Sequence, residues 1–549
     1  MAMVDRTTRT NDGVFPHWVW IGGVILALGY LPMLAAPFDF MDDGNLVYPT
    51  RGLSLDRHAQ VWWDKVAANV EHLGPFRPTV WLHWHCAANA FGAEPHLWRA
   101  GRLLWCGLAA VLLLAFLHSL NLDPAAALFA GAAAMWNPYR NEIWTSLTLA
   151  EGVAMPYAML ALLGARRAAL SRRRATAWDA AALLCLLVCL GCKNVFIALL
   201  PAMLLLRLWQ PGSTVPDALR ANWWRVLVYL TPAVMPVAHF FYFKSHWKPG
   251  YYETPGPSLA QASQFLGWLK GAGGADFLAP GLGVALAVGC WKRCGWPARL
   301  PALVGLLLLL GGFLVYLPLN IMSGRYTMPA VWGADVLLAA FLTRMATVPL
   351  GRWSYPMRGL LACGLMALLV AGVNRQEKIL ARNLLLWEML GHVERTTPTT
   401  ATIAWISGPT ELGELNAEEG IHFAWHLLHR GRGDVRIQLR DQLDRPLHRV
   451  ELADVRTPAQ YRLAAKPSDG DPDWARPLHL VRAYRFGTKQ HNICLEARAV
   501  QPTGLGDALV SEIIRRSLIG SPGESARKLL GAEPVGVGSA AITPPVVRE

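Results

Sequence analysis

The strongest constraint in this chain is a succession of long apolar runs almost free of charge, at 18–36, 103–120, 226–243, 300–319 and 359–373. Several reach or approach the ~20 residues that a helix needs to cross a ~30 Å hydrocarbon core. Hydrocarbon offers no hydrogen bonds to free backbone groups, so such runs must be helical. Only 16% of the 549 residues are charged and 53% are apolar, whereas a soluble domain carries roughly 25% charge. The chain therefore reads as an all-α polytopic membrane protein. Its first run is long and lacks a small-residue cleavage pattern before Asp39, which reads as a retained anchor and not a removable signal peptide.

Apolar patterning places about eleven spans at 17–36, 98–120, 124–136, 143–164, 178–192, 194–208, 226–243, 275–291, 300–319, 327–343 and 359–373. With residues 1–16 as a cytoplasmic tail, the basic loops fall on one side. These loops hold Arg166, Arg167, Arg172, Arg173 and Arg174, then Lys292, Arg293 and Arg299, then Arg344, Arg352 and Arg358. That is the charge bias of membrane insertion, and it absorbs much of the net +13. Nucleic acid is thereby excluded as the partner that the basic balance serves.

Two outer segments follow from the same alternation. The loop 37–97 carries Asp42, Asp43 and the aromatic stretch 79–91, whose Trp81, His83 and Trp84 suit a helix lying in the interface. The loop 244–274 is rich in Trp, Tyr, Pro and Gly. The transmembrane domain thus covers 17–373. Beyond it the charge content rises, with alternating strands at 402–407 and 435–439 and a helical stretch near 415–429. This predicts a small soluble α/β domain at 374–519, extracytoplasmic by parity, and a disordered tail at 520–549. No Walker motif, dinucleotide fingerprint or internal repeat is present.

Most cysteines lie in apolar runs, where they act as small hydrophobes. Cys185, Cys189 and Cys192 share one helix face as small packing residues, and Cys494 is alone in the last third. His83 and His85 point apart on a helix and lack a third ligand, so no metal site is expected there. No cofactor is required by the sequence, and a divalent metal is compatible with it.

Charged residues in or beside apolar runs are the candidates for chemistry. Adjacent Asp42 and Asp43 repel, which raises one pKa toward general-base duty; the alternative is a solvated loop end. Glu142 follows the polar Asn137-Pro138-Tyr139-Arg140-Asn141, and Glu151 lies inside the next span. Nine helical residues turn through about 900°, so the two acids cannot share a face of one regular helix. Glu151 either has a functional role or pairs with a basic side chain. Lys193 interrupts a largely apolar stretch, where it must snorkel or meet an anion. Arg325 sits at an outer helix mouth, and Arg77 and Arg140 lie in outer loops. Cations beside carboxylates at one lipid boundary suit a phosphate-linked lipid donor: the cations hold the leaving phosphate while a carboxylate takes the attacking hydroxyl's proton.

The ordered set is an acidic pair, Phe76-Arg77-Pro78, Phe91-Gly92-Ala93-Glu94-Pro95-His96, Asn137-Pro138 with Glu142, Trp144, Glu151, Lys193-Asn194, Leu200-Pro201 and Arg325-Tyr326. Over about residues 17–345 it resembles the GT-C superfamily, in its protein mannosyltransferase-like, polyprenyl-phosphate-sugar-dependent branch. The resemblance implies Asp42 or Asp43 as catalytic base and Glu142 orienting the acceptor or the acidic pair. It places Lys193 and Arg325 on the lipid phosphate, with Arg77, Arg140 and Tyr326 beside them and Glu151 as an acceptor-side or structural acid. It implies a glycosyltransferase moving a sugar from a polyprenyl-phosphate donor to a hydroxyl of a protein, lipid or envelope glycan. The site would face the periplasm from a bacterial inner membrane. Two rival readings are a transporter or flippase for a lipid-linked solute, and an inactive GT-C-like scaffold. The transporter would show paired halves with interrupted helices, and no such symmetry is visible.

Overall fold

The computed structural model describes residues 15–39, 43, 55–73, 76–138, 140–171, 173–210, 214–246, 296–316, 328–347, 354–396, 402–406, 426–427, 430, 436–440, 446–450, 479–488, 491–499 and 533–534. Helices hold most of them. Helix α1 (His17–Leu28) runs into a 3-10 turn at Leu31–Ala35, and α2 (Leu55–Leu73) and α3 (Pro78–Phe91) follow. Next come α4 (Pro95–Ser119), α5 (Pro124–Trp136), the single turn α6 (Glu142–Thr145), α7 (Ala150–Leu170) and α8 (Ala175–Cys192). A 3-10 segment at Asn194–Leu199 leads into α9 (Leu200–Leu208), α10 (Val215–Leu230) and α11 (Val234–His246). The later helices are α12 (Trp296–Tyr316), α13 (Met328–Thr347) and α14 (Ser354–Thr396).

Among the described residues, three helices are long and apolar enough to cross a membrane: Pro95–Ser119, Ala150–Leu170 and Ala175–Cys192. Shorter apolar helices include His17–Leu28, Pro124–Trp136, Asn194–Leu208 and Met328–Thr343. The expected span at 275–291 lies outside the described residues. The run expected at 17–36 is divided after Leu28, and two later runs expected as single helices are divided as well. The first breaks at residues 146–149 between α6 and α7, so Glu142 and Glu151 stand on separate helices. The second breaks at Thr231–Ala233, where Pro232 removes a backbone donor.

Helix starts follow local chemistry. Pro stands at the first position of α3, α4 and α5, where its missing N–H costs nothing. Asp123 caps α5 by accepting from the Ala125 and Ala126 N–H groups. Packing relies on small residues, as expected where hydrocarbon gives little drive for helix association. Where α12 crosses α13, a Cβ on Gly305 would meet the Gly333 carbonyl at 2.8 Å, and one on Gly333 would meet the Gly305 carbonyl at 2.4 Å. Leu114, Phe116, Met135, Phe196 and Trp332 form part of the fully buried core.

Strands occupy both places where alternation suggested them. β1 (Thr402–Ile406) pairs parallel with β2 (Arg436–Arg440), which pairs antiparallel with β3 (Pro446–Val450). A second sheet has the order β5-β4-β6, from β4 (His479–Thr488), β5 (His491–Ala499) and β6 (Glu533–Pro534), all antiparallel. Nearly all of the expected helix at 415–429 and of the tail at 520–549 lies outside the described residues.

Candidate functional site

The site is built around Arg99 and Arg102, three residues apart in the first two turns of α4 and both buried. Arg99 donates from Nε to the Ala36 carbonyl (3.3 Å), from Nη2 to that of Pro37 (2.9 Å) and from Nη1 to that of Thr145. Its Nη2 also lies 3.6 Å from Asp43 Oδ2. One guanidinium thus ties the chain after α1, the α6 turn and a buried carboxyl together. Arg102 Nη2 donates to the carbonyls of Ile143, Ser146 (3.1 Å) and Leu149 (3.3 Å), and its guanidinium stacks over the Trp144 ring at 5.5 Å. The irregular stretch between α6 and α7 owes its satisfied backbone to this side chain, since buried carbonyls need donors.

Asp43 is buried and accepts the Asp39 N–H at 2.7 Å. Burial pushes its carboxyl up to about 7, and the nearby Asp39 charge adds to the rise; Arg99, the Asp39 N–H and Arg102 pull the other way without cancelling it. A carboxyl poised near neutrality is what a general base requires.

Across the bundle, Lys193 Nζ meets the buried Glu151 Oε1 in a part-buried pair. Glu151 stands in the first turn of α7 and Lys193 at the end of α8, where the backbone turns extended before the 3-10 segment. Arg102 lies within electrostatic reach of both Asp43 and Glu151. Arg77, just ahead of α3, and Glu151 both lie within electrostatic reach of Cys192. The described cluster therefore gathers Arg77, Arg99, Arg102 and Lys193 against Asp39, Asp43 and Glu151.

Other expected residues stand elsewhere. Arg140 is buried and holds Asp335 of α13, with Nη1 2.6 Å from Oδ2. Glu142 is exposed at the start of α6. Asp42, Arg325 and Tyr326 lie outside the described residues. His83 packs on Trp105 at 5.1 Å, whereas His85 packs on His58 at 4.7 Å. Burial, and secondarily Arg102, pushes the His83 imidazole down to about 4. Among the described residues no group of three His, Cys, Asp or Glu side chains could hold a metal ion.

Sequence reasoning missed Arg99, Arg102 and Asp335. All three lie within or beside stretches read only as spans, and the signal was the one that exposed Lys193, a charge inside an apolar run. The acidic pair, Glu151 and Lys193 were singled out, and the structure joins Asp43 with Glu151 and Lys193 through α4. Comparison of the chain with models of protein families finds no match, and comparison with curated proteins finds none.

Proposed function

We propose that the chain is a membrane glycosyltransferase that moves a sugar from a polyprenyl-phosphate donor to a hydroxyl acceptor. The observation that carries this reading is the pairing of buried Asp43 with Arg99 inside a cluster of cations and carboxylates. Asp43 takes the proton from the attacking hydroxyl, and Arg77, Lys193 and Arg325 receive the phosphate as the sugar leaves. Arg99 and Arg102 hold the frame: Arg99 commits Nε and both Nη atoms to the carbonyls of Ala36, Pro37 and Thr145, and Arg102 commits its Nη2 to those of Ile143, Ser146 and Leu149. Arg140 serves through Asp335, fixing the connection before α6. The resemblance to the GT-C superfamily supports the same assignment.

The finer reading has eleven spans, an amino terminus inside, an outer loop at 37–97 and an extracytoplasmic α/β domain at 374–519. The protein then sits in a bacterial inner membrane with its site facing the periplasm. The test is donor turnover by purified protein. Asp43→Asn reduces it at least a hundredfold while leaving the unfolding midpoint at or above that of the parent chain. Full turnover in Asp43→Asn and Asp42→Asn removes the base assignment.

A second reading has one specific observation in its favour. Lys193 and Arg140 each hold a carboxylate of the chain itself, as they would in an inactive scaffold. In that case Asp43 and Lys193 variants complement a deletion strain fully and loss of residues 375–549 does not.

A further inference from the structure

A second buried ionic cluster lies at the far ends of α8 and α9 from Lys193. Arg207, near the end of α9, donates from Nε to Asp179 Oδ1 of α8 at 2.8 Å. Tyr229 of α10 donates its hydroxyl to the same oxygen at 2.9 Å. Arg225 of α10 brings Nε to 3.8 Å from Asp179 Oδ2. Two guanidinium groups therefore share one carboxylate. Both Nη atoms of Arg207 and Nε of Arg225 are buried and have no hydrogen-bond acceptor. Arg207 itself is only 2% exposed.

Buried guanidinium donors left unused cost several kcal/mol in an apolar setting, so the arrangement is built for an anion. The surroundings indicate which. Arg166, at the same end of the bundle, donates from Nη1 to the Trp209 carbonyl at 2.8 Å, and Arg167, Arg173 and Arg174 lie close by in sequence. On α10, Trp223, Trp224 and Leu227 are exposed beside Arg225, which stacks over the Trp224 ring at 5.0 Å. Exposed indoles with adjacent cations suit a membrane surface. Basic pockets between membrane helices take lipid headgroups.

We infer that Arg207 and Arg225 form a binding site for the phosphate of an anionic phospholipid, drawn from the leaflet at the end of the bundle opposite Asp43. Arg207 supplies its two Nη atoms as a fork to two phosphate oxygens. Asp179 and Tyr229 hold the fork in place, and the exposed face of α10 carries the acyl region. Access comes through α10, whose helix is interrupted at Asn222 (φ −128°, ψ 21°). There the Asn222 side chain donates to the Ala218 carbonyl and accepts from Arg225 Nη1 at 3.4 Å. On this side of the cluster the Arg225 side chain is 22% exposed. This site is independent of the proposed sugar transfer.

The test is thermal unfolding of the purified full chain in neutral detergent, with dioctanoyl phosphatidylglycerol, dioctanoyl phosphatidylcholine or inorganic phosphate added. Phosphatidylglycerol is expected to raise the midpoint saturably, and the other two are not. Arg225→Gln and Arg207→Lys each weaken the apparent affinity for phosphatidylglycerol at least tenfold. Arg220→Gln, on the same helix but 84% exposed, leaves it unchanged. If Arg207→Lys does not fold, Arg225→Gln decides alone. An equal response to phosphatidylcholine overturns the proposal, as does retention of the response in Arg225→Gln or its loss in Arg220→Gln. An equal response to inorganic phosphate overturns the lipid as ligand.

Discussion

Arg140 Nη1 lies 2.6 Å from Asp335 Oδ2, and this buried pair joins the connection after α5 to the middle of α13. Removing one partner of such a pair strands the other charge and costs about 3–5 kcal/mol, whereas replacing both by apolar groups costs little. Arg140→Met and Asp335→Leu are therefore each expected to lower the unfolding midpoint in detergent strongly, and the double variant to recover most of the loss. Additive losses in the double variant would show that the two side chains are not coupled.

Asp43 makes stability depend on pH with a defined sign. Its folded pKa of about 7 lies above the ordinary carboxyl value of 3.8, so the folded chain binds this proton more tightly than the unfolded chain. That stabilisation is complete below about pH 4 and is lost as pH rises through 7. Asp43→Asn is expected to match the parent chain near pH 4 and to exceed it at pH 8. At the upper limit the gain is on the order of 4 kcal/mol. Unfolding midpoints measured across that window check it, and a lower midpoint at pH 8 contradicts the assignment.

If Asp43 is the base of the proposed sugar transfer, the same carboxyl sets an activity profile. A base must be ionised to accept a proton, so kcat/KM for a polyprenyl-phosphate donor is expected to rise with pH with a midpoint near 7. The profile flattens in Asp43→Asn, along with the loss of turnover. A rise that persists unchanged in the variant points to a different titrating group.

Lys193 and Glu151 separate a phosphate role from a purely structural one. Each single change, Lys193→Gln or Glu151→Gln, breaks this ion pair and is expected to destabilise the chain by up to about 3–5 kcal/mol. If Lys193 also meets the donor phosphate, Lys193→Gln raises the donor KM at least tenfold more than Glu151→Gln does. Equal KM values in the two variants confine the pair to packing.

Gly152 tests how firmly Arg102 must be seated. A Cβ there would lie 2.2 Å from Arg102 Nη2 and 2.4 Å from the Ile143 carbonyl. The guanidinium can move, but the backbone oxygen cannot do so cheaply. Gly152→Ala is expected to cost roughly 1–3 kcal/mol and to lower turnover by releasing the stretch between α6 and α7. Unchanged stability and turnover would show that Arg102 finds another seat.

Where the sequence was legible, one strong signal acted alone. The helix at Pro124–Trp136 matches its expected bounds because Asp123 and Pro124 mark its start and Asn137-Pro138 its end. Lys193 and Glu151 stood out because each is a lone charge in an apolar run, and they meet. Arg99 and Arg102 escaped because their neighbours are the loop 37–97 and the turn at α6, and only the folded chain brings those carbonyls to α4. The division of the run 226–243 hung on Pro232, a residue that a hydropathy average does not register. Asp179 and Arg207 are 28 residues apart in sequence, and no periodicity links one to the other.

The longest helix also has a mechanical consequence. At 1.5 Å per residue, the 43 residues of α14 make a rod roughly 65 Å long, twice the depth of a ~30 Å hydrocarbon layer. Gln376 on this rod grips the Gly29 carbonyl at 2.9 Å, and Asn383 reaches that of Pro37, the oxygen that Arg99 also holds. The half of the rod toward Thr396 is therefore seated on the chain ahead of Asp43, with Trp387 edge-on to Phe38 at 6.2 Å and Leu390 fully buried.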